Sequence, residues 1–347
     1  MTIAHLSNFW LILIFILSSV TIWIAGSRIS ITTDIIDTHF NMGEALGGII
    51  FLAVVTNLPE IAITCTAAYN GHLEIAASNI LGGIAIQTVV LALVDAFGVG
   101  RSAPLTYKAS SVELIVEGIV LIFILNLVLI GYYLPKTFIF FRVTPIELAI
   151  VATWIFGIYL VSKKITLPTF VHNSPNLIEE TVPKKEKNTK KQPLRPAIIM
   201  FSIGAFLTLG AGWILEISSE VLAERMGING AIFGATILAA ATALPEISTG
   251  IASAKMKNYQ MAMSDIIGGN AFLPVLFIIG SLISGKAILP DLLPSDMYLT
   301  GLGILLTIIY LIGLILRLTK QRFNMGIDSI VVVIVYVLGI VGLFYIG

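Results

Sequence analysis

Runs of about 20 apolar residues, the length a helix needs to cross the hydrocarbon core of a bilayer, recur along this chain. They lie at 9–26, 43–69, 74–98, 112–131 and 143–161, and again at 196–217, 229–254, 259–284, 297–316 and 327–346. Each predicts a transmembrane helix. Between the two sets, residues 162–195 break the pattern with Pro168, Pro175, Pro183, Pro193 and a run of lysines. Such a composition predicts a polar linker and not a folded domain. The first run, Phe9 to Ala25, has no Lys or Arg before it. It lacks the basic start of a signal peptide and reads as a retained helix.

The two sets are copies of one another. At an offset of 186 residues, Thr56-Asn57-Leu58-Pro59-Glu60 falls on Thr242-Ala243-Leu244-Pro245-Glu246, and Ala25-Gly26 falls on Ala211-Gly212. Across 48–87 against 234–273, 15 of 40 positions are identical. The chain therefore divides into a first five-helix repeat (1–161), a linker (162–195) and a second five-helix repeat (196–347). An odd number of spans per copy turns the second copy upside down in the membrane. The expected fold class is an all-α membrane protein of ten transmembrane helices in two inverted repeats, an arrangement common among secondary transporters.

Composition sharpens this picture. The chain is 57% hydrophobic and only 12% charged, about half the charge of an ordinary soluble domain. Its formal net charge is zero, so nothing in the total points to a nucleic-acid partner; lipid and inorganic cations are the expected partners, with no protein partner indicated. Cys65 is the single cysteine, which excludes an intramolecular disulfide. The basic residues are distributed unevenly. With the linker in the cytoplasm, 16 Lys and Arg lie inside, and only Lys136, Arg142, Arg225 and Lys286 lie outside. By the positive-inside rule, both termini are then extracytoplasmic and the expected location is the cell membrane.

Carboxylates inside spans are costly and are functional candidates by default. Glu60 and Glu246 each follow a proline, mid-span, at equivalent repeat positions. Proline removes a backbone donor and clashes with the carbonyl four residues earlier; here those carbonyls belong to Val55 and Ala241, beside Thr56 and Thr242. A carboxylate next to freed carbonyls makes an oxygen-lined site suited to a hard cation such as Ca²⁺ or Na⁺. The plainer reading is a kink whose glutamate is protonated or bonded to backbone. Its occurrence twice, symmetrically, weighs against that.

Asn79-Ile80-Leu81-Gly82-Gly83 stands opposite Asp265-Ile266-Ile267-Gly268-Gly269-Asn270. The glycines let helices approach closely; Asp265 is readable as a proton carrier, a secondary ligand or a packing residue. Glu44, Glu74, Glu113 and Glu117 sit near helix starts and read as interfacial. Glu216, Glu220 and Glu224 read as a solvated face or a weak cation vestibule. Asp95 and Glu147 have no acidic counterpart at the offset, and His72 and Cys65 have no evident chemical partner.

With these residues in view, the sequence resembles the cation/calcium exchanger superfamily, in its sodium/calcium exchanger branch, over essentially its whole length. That family's first signature, Gly-Thr-Ser-x-Pro-Glu, is matched at Thr, Pro and Glu in both copies, the motifs spanning 48–87 and 234–273. The resemblance implies that Glu60 and Glu246 are the central Ca²⁺ ligands, with backbone oxygens of Thr56 and Thr242 beside them. Where the signature has serine, this chain has Asn57 and Ala243. In the second signature, serine becomes Gly83 and Gly269, and the last polar residue becomes Gln87 and Leu273. The resemblance gives those positions a part in holding Na⁺, so Asp265, Asn79, Asn57, Gln87 and Asn270 are the secondary candidates.

The expected function is a secondary antiporter exchanging Ca²⁺ against Na⁺ by alternating access. A proton-coupled divalent or monovalent cation antiporter is the nearest alternative, because buried carboxylates also take protons. A cation channel through the same glutamates is the alternative of another class. No Ser/His, His-Glu-x-x-His or paired-aspartate arrangement suggests an enzyme, and no cofactor is expected.

Overall fold

The computed structural model describes residues 5–40, 52–135, 139, 141–163 and 193–346. Almost everything described is helical. Among the described residues, eight helices are long and apolar enough to cross a membrane, and a ninth candidate is a pair bent by 42° at a break. The predicted span at 43–69 lies partly outside the described residues, as do most of the linker at 162–195, Glu44 and Lys136. What is described of that span is a short helix, α2 (Leu52–Thr56), and a second, α3 (Leu58–Asn70).

The opening helix, α1 (Asn8–Phe40), and its counterpart α8 (Leu194–Met226) each run for 33 residues, well past the predicted spans at 9–26 and 196–217. Hydropathy falls along their second halves, but the helices continue, and hydroxyls there bond back to the preceding turn. Thr32 donates to the Ile29 carbonyl at 2.8 Å, and Ser219 to the Leu215 carbonyl at 2.6 Å. Polar side chains that fold onto their own helix add little desolvation cost.

Central and peripheral helices differ in how much of them is covered. In α4 (Leu73–Val94), which runs on in a wider π turn through Asp95–Val99, the span is 72% buried. So is the span that opens with α12 (Tyr259–Phe272) and continues through one 3₁₀ turn into α13 (Leu276–Ser284). By contrast α7 (Pro145–Ser162) is 17% buried and α15 (Ile327–Ile346) 22%. Their exposed Leu148, Ile155, Phe156, Ile334, Leu338 and Phe344 face outward, the surface that lipid covers. Between these layers stand α6 (Val112–Tyr132) and α14 (Pro294–Leu316). One departure from all-α is a two-stranded antiparallel ladder, β1 (Gln321–Arg322) with β2 (Met325–Gly326), between α14 and α15. Phe323 and Asn324 turn it through positive φ values of 56° and 62°, the backbone of a tight hairpin.

Buried hydroxyl–carboxylate pairs fasten this bundle. Asp95 accepts bonds from Leu105 N (2.8 Å), Gly326 N (2.7 Å) and Ser329 Oγ (2.8 Å). Glu147 accepts from Thr144 N (2.7 Å) and Ser281 Oγ (2.5 Å). The offset of 186 places Ser281 at the position of Asp95. The acid and its serine have thus exchanged helices between the two halves, which is why neither acid has an acidic counterpart in the sequence. These carboxylates are structural pins. Ser281→Ala leaves a buried carboxylate oxygen of Glu147 without its donor and removes the acceptor for Ile288 N at 3.0 Å. It should cost about 1–3 kcal/mol, seen as a lowered melting temperature in detergent.

Candidate cation site

Both Thr-x-Leu-Pro-Glu segments break their helices at the same place. The helix is interrupted at Asn57 between α2 and α3, and at Ala243 between α10 (Ala239–Thr242) and α11 (Leu244–Lys255), where the pair is bent by 42°. Pro59 and Pro245 therefore stand in the first turn of a new helix, where a missing N–H costs nothing, and not in the helix middle that the sequence suggests. Glu60 and Glu246 follow in the same first turn, where the helix dipole favours negative charge. Before the second break the chain passes through α9 (Gly230–Phe233) and a π turn, Gly234–Leu238, a distortion often found at functional sites.

The two glutamates are in the protein interior, Glu60 fully buried and Glu246 2% exposed. Glu246 lies within electrostatic range of both Glu60 and Asp265. Some contacts around these carboxyl groups lie within one half, and others cross between the halves. Gln87 Nε2 donates to Glu60 Oε1 at 3.2 Å, and the Thr242 hydroxyl is in hydrogen-bonding contact with the same carboxyl group. Asp265 bonds to the hydroxyl of Thr249 at 3.2 Å and contacts that of Thr56. Asn57 faces Gly269 closely enough that its Nδ2 would lie 3.0 Å from a Cβ placed there. Asn270 Nδ2 reaches Thr88 Oγ1 at 3.2 Å and the Ile84 carbonyl at 3.4 Å. Asn79 is fully buried on α4.

Several of these groups have no hydrogen-bond partner within the protein: Glu60 Oε2, both carboxylate oxygens of Glu246, Asp265 Oδ1, the side-chain amide atoms of Asn79, and Asn270 Oδ1. Unpaired buried polar atoms are expensive, and buried charges more so. The donor set consists of carboxylate, amide and hydroxyl oxygens, with no imidazole or thiolate, a chemistry that suits hard cations. Among the described residues, no three His, Cys, Asp or Glu side chains form a metal cage by themselves. Any cation held here draws on threonine, amide or backbone oxygens as well.

Other acids move from their sequence readings. Glu117 is 5% exposed, not interfacial, and accepts a 2.8 Å bond from Ser264 Oγ. Ser78 Oγ donates to Asp296 Oδ1 at 2.5 Å. Ser78 and Ser264 are identical at the 186 offset and directly precede Asn79 and Asp265, so this pair of pins was findable from the repeat alignment. Glu216 is fully buried instead of solvated, and His72 bridges it to Glu220.

The family model of the sodium/calcium exchanger proteins matches residues 10–163 and 196–345. CaxA of Alkalimonas amylolytica, named as a candidate antiporter, is 24% identical over 262 residues, covering 75% of each chain. Among solved structures, the sodium-calcium exchanger NCX_Mj superposes with a TM-score of 0.61 at 17% identity, covering 95% of this chain and 97% of its own. The H⁺/Ca²⁺ exchanger CAX superposes with a TM-score of 0.64 at 15% identity, covering 97% and 87%. Two uninterrupted segments that together take in nearly the whole chain, joined to an exchanger fold in a multi-pass membrane protein, leave one assignment: the chain belongs to the sodium/calcium exchanger protein family.

Proposed function

We propose that this protein is a secondary antiporter that carries Ca²⁺ across the cell membrane in exchange for Na⁺, through one central site in which Glu60 and Glu246 hold the transported ion. The observation that carries this reading is the meeting of two broken helices at a buried, oxygen-lined locus with two carboxylates and no basic side chain among their hydrogen-bond partners. Thr56 and Thr242 complete the site, with Asp265, Asn79, Asn57, Gln87 and Asn270 around it.

Ten helices in two inverted repeats follow from the same reading, with the linker cytoplasmic and both termini outside. Supporting it, Asn270 bonds to the carbonyl of Ile84, the residue at its own place in the first repeat. Equivalent positions that touch each other lie near a pseudo-twofold axis. Two unpaired carboxylates in a low-dielectric interior are too costly to carry across empty. The site therefore returns only when a counter-ion neutralises it, and that requirement couples the two fluxes.

Protons are the second reading for the counter-ion. Its support is Asp265, a third carboxyl group within electrostatic range of Glu246, together with Gly83, Gly269 and Ala243, which replace hydroxyls that the family signature carries. Radioactive Ca²⁺ uptake into proteoliposomes separates the two. Uptake driven by an outward Na⁺ gradient with pH clamped is the expected result. Uptake driven only by an outward proton gradient transfers the coupling to the carboxyl groups, and no uptake under either gradient rejects Ca²⁺ as the substrate.

A further inference from the structure

At the turn joining the two site helices α3 and α4, the His72 ring lies between two carboxylates of α8. Nδ1 is 2.9 Å from Glu216 Oε1 and Nε2 is 2.8 Å from Glu220 Oε1. Asn70 Nδ2 adds a bond to Glu216 Oε2 at 3.1 Å. The turn itself is set by Gly71, whose φ of 88° is a left-handed conformation closing α3, so His72 begins α4 at a fixed angle. The cluster is graded in access: Glu216 is sealed, the His72 side chain is 26% exposed and that of Glu220 43%.

A neutral imidazole has one N–H and one lone pair. It satisfies one carboxylate and turns a lone pair on the other. Both short contacts are favourable only when the triad holds one proton more than a neutral ring and two carboxylates do, whether that proton sits on the ring or on an acid. Nothing nearby substitutes for it. Glu74, in the first turn of α4, adds negative charge beside Gly230. Glu224 stands one turn further along α8, and Arg225 is engaged with the Leu6 carbonyl and Asn8 Oδ1 at 2.8 and 2.7 Å. Loss of the proton leaves one of the two carboxylates facing the ring's lone pair.

The place of this triad gives it a consequence. Gly212, Glu216 and Glu220 follow one another at four-residue spacing and form one stripe of α8. Gly212 packs where a Cβ would meet Ala62 at 2.7 Å and the Pro59 carbonyl at 3.1 Å. The stripe thus runs from the proline break before Glu60 to the α3–α4 turn. We propose that His72, Glu216 and Glu220 form a proton-binding site separate from the central carboxylates, a latch that holds α8 on the α3–α4 turn when protonated and releases it when deprotonated. Its ligand is H⁺, and its effect is on access to the central site from the side where this turn lies.

The test uses the full-length protein in lipid nanodiscs, with Cys65→Ala as background and spin labels at Tyr69→Cys and Met226→Cys, both exposed. A single narrow distance distribution at about pH 6 should gain a second, displaced population at about pH 9, two values chosen on the acid and alkaline sides of neutrality. His72→Gln keeps a hydrogen-bonding side chain without a titrating ring and should give the same distribution at both values. The latched population should change about three- to tenfold, as expected for two partly exposed ion pairs. A wild-type distribution unchanged with pH, or an equal pH response in His72→Gln, overturns the proposal. Glu220→Gln, at the more exposed acid, checks this against misfolding and should weaken the response. No transported ion enters the measurement, so it stands or falls apart from the exchange reading.

Discussion

Glutamine at position 246 should reduce coupled Ca²⁺ uptake by at least about a hundredfold, and glutamine at position 60 by a similar factor. Both substitutions preserve shape and remove a single negative charge from a buried site, an effect worth about 3–5 kcal/mol when a charge partner is lost in a dry interior. Position 246 is the cleaner test. Among the described residues no side chain donates to its carboxylate, whereas Glu60 is held by Gln87 and Thr242. Glu246→Gln therefore removes no side-chain hydrogen bond that stabilises the ion-free fold. In the absence of Ca²⁺ the variant should melt at or above the wild-type temperature, because an uncompensated buried charge has been removed. If Ca²⁺ binds this site, it should raise the melting temperature of the wild type by mass action, and that rise should be absent from the variant. Near-normal flux in a well-folded Glu246→Gln protein would remove this residue from the transported ion's path.

Much of this architecture is readable from the sequence because membrane spans are written in runs of apolar residues and the repeat is written twice. The offset of 186 aligns Pro59 with Pro245 and Glu60 with Glu246, and the structure breaks both helices at the residue preceding Leu-Pro-Glu. Less legible were the lengths of α1 and α8. A hydropathy pattern does not anticipate that Ser and Thr will satisfy themselves on their own helix. Glu117 and Glu216 are buried where their spacing suggests exposure, and Asp95 and Glu147 carry no legible role in the sequence, for a different reason. Each is paired with a residue far away in sequence (Ser329, Ser264, Ser281 and His72). A side chain's partner in space is invisible to spacing arguments unless the repeat reveals it. Ser78 and Ser264 show that the repeat sometimes does.

The glycines beside Asn79 divide sharply in what they tolerate, and that contrast is expected to be large. At Gly82 an added Cβ would meet the backbone of Ala235, 2.6 Å from its carbonyl oxygen and 2.7 Å from its Cβ, with Ala235 Cα nearer still. Ala235 lies in the π turn that leads into the second broken helix, so no rotamer change relieves the clash and α4 must separate from that turn. At Gly83 the nearest atom to an added Cβ is Leu273 Cδ1 at 3.6 Å, ordinary contact. Intrinsic helix propensity favours alanine over glycine at both positions by about 1 kcal/mol. Overpacking against backbone opposes it at Gly82 by about 1–3 kcal/mol or more. Gly82→Ala should therefore lose most of its monodisperse yield in detergent and its Ca²⁺ flux with it. Gly83→Ala, one residue away, should match or exceed the wild type in stability. Equal behaviour of the two variants would mean that α4 does not approach the π turn this closely, and the route by which the two halves meet at the site would have to be redrawn.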